Sequence, residues 1–223
     1  MSALHARGLS KSFRGRKVVD RVSFDVNPGE VVGLLHPDEG EVHLGGQDLS
    51  GLPLHRRARM GLGYLPQESS IFRKLTVRQN LLLVLEGQGV HGGEARGRTD
   101  DVLQEFDLLR VADSLGEQLS GGERRRTEIA RALLAEPRFL LFDEPFAGID
   151  PIAVHELQRL IGKLRERGLG VLISDHAVRE TLGICDRAVL LVEGRLLEAG
   201  TPPQIAASER ARAVYLGERF KLE

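Results

Sequence analysis

The chain has 223 residues and a mass of 24.6 kDa, which at roughly 150 residues per domain allows one large or two small domains with a substantial core. Lys and Arg number 31 against 32 Asp and Glu, so the formal net charge of -1 gives no global reason to expect a nucleic-acid partner. The single cysteine excludes an internal disulfide and fits a reducing compartment. The amino terminus has no apolar signal segment, and the aliphatic run 81–85 is far shorter than the ~20 residues that cross a bilayer. Any work at a membrane is therefore expected to go through partners.

Short apolar runs separated by turn residues predict strands in the first part of the chain. The expected strands are 18–26, 31–35 and 41–44, with a turn at 36–40 formed by His-Pro-Asp-Glu-Gly. This part of the sequence favours a mainly antiparallel layer.

The middle of the chain has helical periodicity. Helices are predicted at 76–85 and 99–109, joined by a loop in the Gly-rich stretch 87–97. We interpret them as an inserted helical subdomain.

The second half alternates buried-strand and helix patterns. Strands are predicted at 139–142, 171–174 and 188–192, the last closing a hairpin, and residues 157–164 have one apolar helical face. Strand, crossover helix and strand in this order predict a parallel sheet, hence an α/β fold.

Two acids end the first of these strands. Asp143 and Glu144 would lie at the carboxyl edge of a parallel sheet, where ligands bind. A carboxylate there can hold Mg²⁺, and its neighbour can polarise a water molecule. The alternative is a solvated acidic turn.

A capping pattern begins the helix that precedes this strand. Ser120 and Glu123 have the spacing of a capping box, and Gly121 and Gly122 bare backbone N–H groups that attract a phosphate. The alternative is a well-capped helix with no ligand.

The segment Leu119-Ser-Gly-Gly-Glu123, followed by three arginines, resembles the signature motif of the ATP-binding cassette (ABC) family. Other segments resemble the family's motifs in the family's order, over essentially the whole chain. They are Tyr64–Gln67 (Q-loop), Ala147–Asp150 (D-loop), Ser174–His176 (switch histidine) and Phe13 (adenine-stacking aromatic). Each has a structural alternative, such as a turn residue at Gln67, a helix cap at Asp150, a strand-end histidine at His176 or a core aromatic at Phe13. Five such matches in order favour the family.

The resemblance implies ATP and Mg²⁺ as cofactors and a role for each matching residue. Glu144, His176 and Gln67 would be catalytic, and Asp143 and Gln67 would hold the metal. The remaining residues would contact nucleotide, and they are Phe13, Ser120, Gly121, Gly122 and Asp150.

The family's fold implies one ABC-type P-loop NTPase domain over residues 1–223. We expect an antiparallel β part at about 1–60, a helical insert at about 72–125, a mainly parallel α/β core at about 126–200 and a docking segment at about 201–223.

Longer matches narrow the resemblance to ATPase subunits of lipopolysaccharide-export transporters, with branched-chain amino-acid importer ATPases as the nearest rival. They lie at 61–73, 121–126, 143–148 and 215–218. The exporter family implies a dimer, with itself or another cassette, on the cytoplasmic face of the inner membrane beneath transmembrane permease subunits. There ATP would drive lipid extraction. A nucleic-acid partner is not expected.

One family motif is absent from the sequence. The phosphate loop, Gly-x-x-x-x-Gly-Lys-Ser/Thr, cradles the phosphates with its N–H groups and lysine, yet none of the five lysines fits it. In the family the loop and its helix follow the strand seen here at 31–35, but this chain passes directly to residues that resemble the sequence after that helix. An internal segment is missing by comparison with the family.

The missing segment opens three hypotheses: an impaired transport ATPase, a non-hydrolysing structural or regulatory cassette, or a truncated ATPase without a role of its own. Loss of the helix also predicts lower stability, or a hairpin between strands 31–35 and 41–44.

Overall fold

Strands and helices alternate along the chain in a computed structural model. The structure describes residues 3–13, 16–33, 39–217 and 220. At residues 13, 16–18, 33, 39 and 40 it describes the backbone but not the side chain. The strands are β1 (Leu4–Phe13), β2 (Arg16–Val26), β3 (Val31–Gly33), β4 (Glu39–Leu44), β5 (Gln47–Asp48), β6 (Leu62–Leu65), β7 (Phe139–Asp143), β8 (Gly170–Ser174), β9 (Ala188–Val192) and β10 (Arg195–Gly200). The α-helices are α1 (Leu54–Arg59), α2 (Val77–Gly87), α3 (Gly92–Glu105), α4 (Gly121–Leu133), α5 (Pro151–Glu166), α6 (Val178–Leu182), α7 (Pro202–Ala207) and α8 (Glu209–Ala211). Short 3₁₀ turns lie at Leu109–Val111 and Gly116–Gln118, and a π-helical turn at Arg212–Leu216.

A parallel sheet with the order β3-β8-β7-β6 forms the centre of the fold, as the sequence predicts. Its strands are short apolar runs, typical of strands covered on both faces, and all five residues of β8 are buried. The register pairs Leu65 with Phe142 and Asp143 with Ser174, so β6, β7 and β8 end at one edge.

An antiparallel sheet with the order β2-β1-β4-β5 forms a second layer, and β9 and β10 form the predicted hairpin. The expected hairpin between strands 31–35 and 41–44 is wrong, because β3 pairs in parallel with β8 whereas β4 pairs with β1 and β5. Val31 and Val32 are completely buried, which suits β3 to the central sheet. The turn residues Pro37 and Asp38 lie outside the described residues.

The helical part differs from the prediction at its second helix. α3 begins at Gly92, inside the Gly-rich stretch expected to be a loop, and ends at Glu105 rather than Leu109. Ala95, Thr99 and Leu103 recur every four residues on its buried face, so packing outweighs the low helix propensity of glycine.

Two apolar clusters cover the faces of the central sheet. One joins α2–α5 to β7 and β8, and the other joins β1, β2 and β4 to Leu62, Phe139 and Leu172 of the central sheet. Within the described residues, no helix is both long enough and apolar enough to span a membrane.

The carboxyl-terminal segment is partly packed on the rest of the chain. Leu216 and Phe220 contact a small cluster around Ile205, whereas Val214 and Tyr215 are 52% and 43% exposed.

Candidate functional site

Three of the predicted catalytic side chains meet at the carboxyl edge of the central sheet. Gln67 follows β6, Glu144 follows β7 and His176 follows β8. Gln67 Nε2 donates a hydrogen bond to Glu144 Oε2 over 2.8 Å, and His176 Nδ1 lies 3.4 Å from the same oxygen. The order of the strands brings together residues that are up to 109 positions apart, and places Glu144 between the other two side chains.

Asp143, the predicted metal ligand, ends β7 next to this cluster. Its Oδ2 atom accepts a hydrogen bond from the hydroxyl of Tyr64 over 2.9 Å. Burial raises the pKa of Tyr64 to about 12, and the bond to Asp143 contributes to the shift. Sequence reasoning named Tyr64 only as part of the Q-loop string, and the strand pairing of β6 with β7 is what gives it this role.

The backbone around Glu144 is constrained. Glu144 has a φ of 43°, a left-handed conformation that is costly for a residue with a side chain, and its N–H donates to Ser174 O over 2.6 Å. The next strand thus fixes the direction in which the Glu144 carboxylate leaves the sheet.

Asp175 is a buried carboxylate that orders two loops of the site. Its side chain has 0% exposure, Oδ2 accepts from Phe146 N and Oδ1 from Ala177 N, both over 2.8 Å. It therefore holds the loop after Glu144 against the loop that carries His176.

The predicted phosphate-binding residues begin α4. The Ser120 hydroxyl accepts from Glu123 N over 3.3 Å, and Glu123 Oε2 accepts from Ser120 N over 2.9 Å, which confirms the capping box. The hydrogen bond from the Ser120 hydroxyl lowers the pKa of Glu123, which keeps this cap ionised. A Cβ atom at Gly121 would meet nothing within 4 Å, so the backbone there is open to a ligand.

Asp150 lies at the start of α5 and Phe13 at the end of β1. Asp150 caps α5, since its Oδ1 accepts from Ile152 N and Ala153 N over 3.0 Å each, as the structural alternative expected. Phe13 ends β1, and its side chain lies outside the described residues, so its stacking role stays a prediction.

A buried acid that sequence reasoning missed links the segment after Gln67 to α4. Glu128 Oε1 accepts from Ser69 Oγ and Ser70 N over 2.8 Å each, and Glu128 Oε2 accepts from Arg125 Nη1 over 3.2 Å. Its only sequence signal is an acid next to the apolar pair Ile129 and Ala130. A shift of the 66–70 segment is thereby tied to the helix that presents the glycines.

The residues at the sheet edge fit a cation better than a triphosphate. Mg²⁺ takes one or two carboxylates together with phosphate oxygens, which Asp143 can provide, although no group of three or more His, Cys, Asp or Glu among the described residues forms a metal site. The edge carries Asp143, Glu144 and Asp175, and the sequence has no lysine between Lys17 and Lys74. Among the described residues, three acids and no lysine line this edge, so these residues do not fit a triphosphate.

A central parallel sheet with acids at its carboxyl edge, an antiparallel layer and a serine-capped helix that begins with two glycines together define an ATP-binding cassette. The model of the ABC transporter family matches residues 31–147. The chain belongs to the ABC transporter family of ATP-binding subunits, whose members in general use ATP and Mg²⁺ and assemble with transmembrane subunits.

Curated relatives cover the full chain. It is 49% identical to the lipopolysaccharide export system ATP-binding protein LptB of Haemophilus influenzae over 241 residues, covering 100% of both chains. It is 51% identical to the protein of the same name from Acidithiobacillus ferridurans, covering 98% of both.

Solved structures support the fold. The ADP conformation of MJ1267, an ATP-binding cassette of an ABC transporter, has a TM-score of 0.82 at 22% identity and covers 98% of this chain and 100% of that chain. The ATP-binding subunit of an ABC transporter has a TM-score of 0.76 at 28% identity, covering 96% and 95%.

Proposed function

We propose that this chain is the ATP-binding subunit of a lipopolysaccharide-export transporter and that it completes the nucleotide site of a dimer partner instead of hydrolysing ATP in its own. The full-length identity of 49% to an LptB protein supports the transporter class over branched-chain amino-acid import. The chain would lie on the cytoplasmic face of the inner membrane, beneath transmembrane permease subunits, and contribute to lipid extraction.

The missing phosphate loop supports the loss of the chain's own site. The match to the Haemophilus influenzae relative spans 241 positions, 18 more than the 223 residues of this chain, as expected for a lost internal segment. Hydrogen bonds to charged groups contribute ~1.5–3 kcal/mol each, so losing three or four removes on the order of 5–10 kcal/mol, which is roughly 10⁴-fold or more in affinity. We therefore assign no hydrolytic step to Glu144, His176, Gln67 and Asp143. We propose that these residues lie where the family's catalytic residues lie, but that no ATP binds beside them.

The start of α4 is the observation that carries the positive part of the proposal. Its capping box is complete, and a Cβ atom at Gly122 would meet only Arg126 Nη1 at 3.7 Å and Glu156 Oε2 at 3.9 Å. A 13-residue helix presents its N-terminal N–H groups and positive dipole end at this point, which suits a phosphate. In a dimer with an intact cassette, Ser120, Gly121 and Gly122 would close over the nucleotide held by the partner's phosphate loop. Two copies of this chain would form no working site.

A mixed-dimer ATPase assay tests the proposal. The partner is an intact LptB relative whose own signature serine is replaced by arginine, so that its homodimer is inactive. Addition of this chain is expected to restore hydrolysis, because only the mixed dimer joins an intact phosphate loop to an intact signature helix.

The matched variants are Gly122→Asp and Gly93→Asp, each the second residue of a helix where the structure leaves room for a side chain. Gly122→Asp should abolish the restored hydrolysis by placing a carboxylate where the phosphate would bind, whereas Gly93→Asp should retain it. Absence of hydrolysis with the unmodified chain, despite demonstrated mixed dimers, would contradict the proposal.

A further inference from the structure

A cleft of about 250 Å³ lies between α4 and α5, and Gly121 and Gly122 at the start of α4 form one end of its lining. Phe106 and Leu157 are buried in its floor, and Ile149 and Leu160 are partly buried beside them. An engineered cavity of about 150 Å³ holds benzene, so the volume of this cleft is sufficient for a small amphiphile whose apolar part contacts these side chains.

Four cations line the same cleft: Arg125, Arg126, Arg159 and Lys163. The acids that also line it are occupied. Glu156 pairs with Arg126 over 3.0 Å, Glu105 with Arg167 over 2.7 Å, and Asp107 with Arg110 over 3.8 Å.

Arg159 and Lys163 remain available. They lie one helical turn apart on α5, are exposed, and have neither an ion pair nor a side-chain hydrogen bond in the described ranges. Their charges are therefore free to meet an anion at the mouth of the cleft.

The arginines of α4 that line the cleft also have N–H groups without acceptors. Arg125 Nη1 donates to Pro66 O and Glu128 Oε2, but its Nε and Nη2 atoms are buried without an acceptor among the described residues, as is Arg126 Nε. Buried guanidinium N–H groups normally have acceptors, so these donors are open to a ligand, while the charges of Arg125 and Arg126 are paired with Glu128 and Glu156.

We propose that this cleft binds an amphiphilic monoanion, a carboxylate on an apolar chain of about eight carbons, with the chain against Phe106 and Leu157 and the carboxylate at Arg159 and Lys163. The class follows from the combination of an apolar floor with surplus positive charge. A purely apolar ligand would leave the cations unused, and a small anion would leave the floor exposed.

Octanoate is the probe, measured by isothermal titration calorimetry on the full chain at low ionic strength. We expect saturable binding of one octanoate. Acetate and octanol should each bind at least tenfold more weakly, because acetate lacks the apolar chain and octanol lacks the carboxylate. Equal affinity for octanol and octanoate, or for acetate and octanoate, would overturn the proposal.

Variants locate the site. Lys163→Gln and Arg159→Gln should each weaken octanoate binding several-fold, while Lys74→Gln and Arg210→Gln, which replace exposed cations elsewhere, should not. Ala153→Phe, at a half-buried position that lines the cleft, should fill it and remove binding. Unchanged binding in both cleft-cation variants and in Ala153→Phe would place octanoate elsewhere and refute the site.

Discussion

The hydroxyl of Tyr64 donates a hydrogen bond to Asp143 Oδ2 over 2.9 Å, across the pairing of β6 with β7. Asp143 is the carboxylate that the sequence predicts to hold a metal, and one of its oxygens accepts a hydrogen bond from a phenol of the neighbouring strand. Gln67 Nε2 likewise donates a hydrogen bond to Glu144 Oε2 over 2.8 Å. The acids at this edge are thus partly satisfied by protein donors, which leaves fewer carboxylate oxygens free for a cation.

Burial and this contact predict that Tyr64 loses its proton at a higher pH than an ordinary tyrosine. The pKa of Tyr64 is raised from 10.0 to about 12, so an alkaline titration followed by the ultraviolet absorbance of tyrosinate should show one component near that value. Because the folded pKa exceeds the unfolded one, the stability that Tyr64 contributes is fully present below pH 10.0 and is lost as the pH rises through about 12. Tyr64→Phe should remove this component, whereas Tyr215→Phe should leave it, and a late component that survives Tyr64→Phe would show the assignment to be wrong.

The buried carboxylate of Asp175 predicts a large loss of stability on truncation. Asp175→Ala leaves Phe146 N and Ala177 N without their acceptor, and we expect a loss of about 2–4 kcal/mol in the free energy of unfolding. Asp175→Asn keeps one acceptor oxygen and should lose less. Asp113→Ala, at a side chain that is 90% exposed, is the control in urea denaturation and should change little. A similar effect of Asp175→Ala and Asp113→Ala would rule out the structural role.

The strands of the second half could be predicted because buried strands have short apolar runs in the sequence. β7 and β8 of the central sheet and β9 of the hairpin are such runs, and their positions in the sequence match the structure. β1 (Leu4–Phe13) was missed because its residues mix polar and apolar types around Gly8, and the strand is stabilised by pairing with β2 on one side and β4 on the other.

The residues that meet at the sheet edge could be named from the sequence, but their contacts could not. The resemblance to the family's motifs pointed to Gln67, Glu144 and His176, and their roles stay a prediction. The hydrogen bond from Gln67 to Glu144 depends on β6 lying next to β7, an order that a linear pattern does not state. Glu128 was missed for a related reason, because a buried acid is recognisable only once its partners Ser69 and Ser70 are in place.

Close packing at Gly170 predicts a strict requirement for glycine. A Cβ atom there would lie 2.2 Å from Phe139 Cδ1 and 2.9 Å from the backbone oxygen of Asn27, and the backbone cannot move aside. Gly170→Ala should lower the free energy of unfolding by about 1–3 kcal/mol in urea denaturation. Gly162→Ala, inside α5 with open space around it, should raise it by about 0.5–1 kcal/mol. Opposite signs are the expected result, and a neutral Gly170→Ala would contradict the packing of β8 against β7.

The missing phosphate loop predicts weak nucleotide binding by the isolated chain. We expect a fluorescent ATP analogue with Mg²⁺ to show no binding below the millimolar range, because the N–H groups and lysine that hold the phosphates are absent from the sequence. The Asp143→Ala variant is measured beside it and should be indistinguishable. Micromolar binding that Asp143→Ala weakens would mean that another segment replaces the loop.

The space between the two sheets predicts that one substitution can raise the stability of the chain. A half-open cavity of about 90 Å³ lies between β1, β2 and β4 on one side and β6, β7 and β8 on the other. Ala6, which lines the cavity and is 3% exposed, can carry extra carbon atoms into it, so Ala6→Val should raise the thermal midpoint.

Ala95→Val provides the matched control, because Ala95 is equally buried at 2% exposure but lies in the helical cluster away from this cavity. Overpacking there should lower the midpoint, as extra methyl groups in a filled core usually do. An intact LptB relative, melted under the same conditions, should unfold at a higher temperature than this chain. If Ala6→Val lowers the midpoint as Ala95→Val does, the layers are already in full contact and the lost segment leaves no packing defect between them.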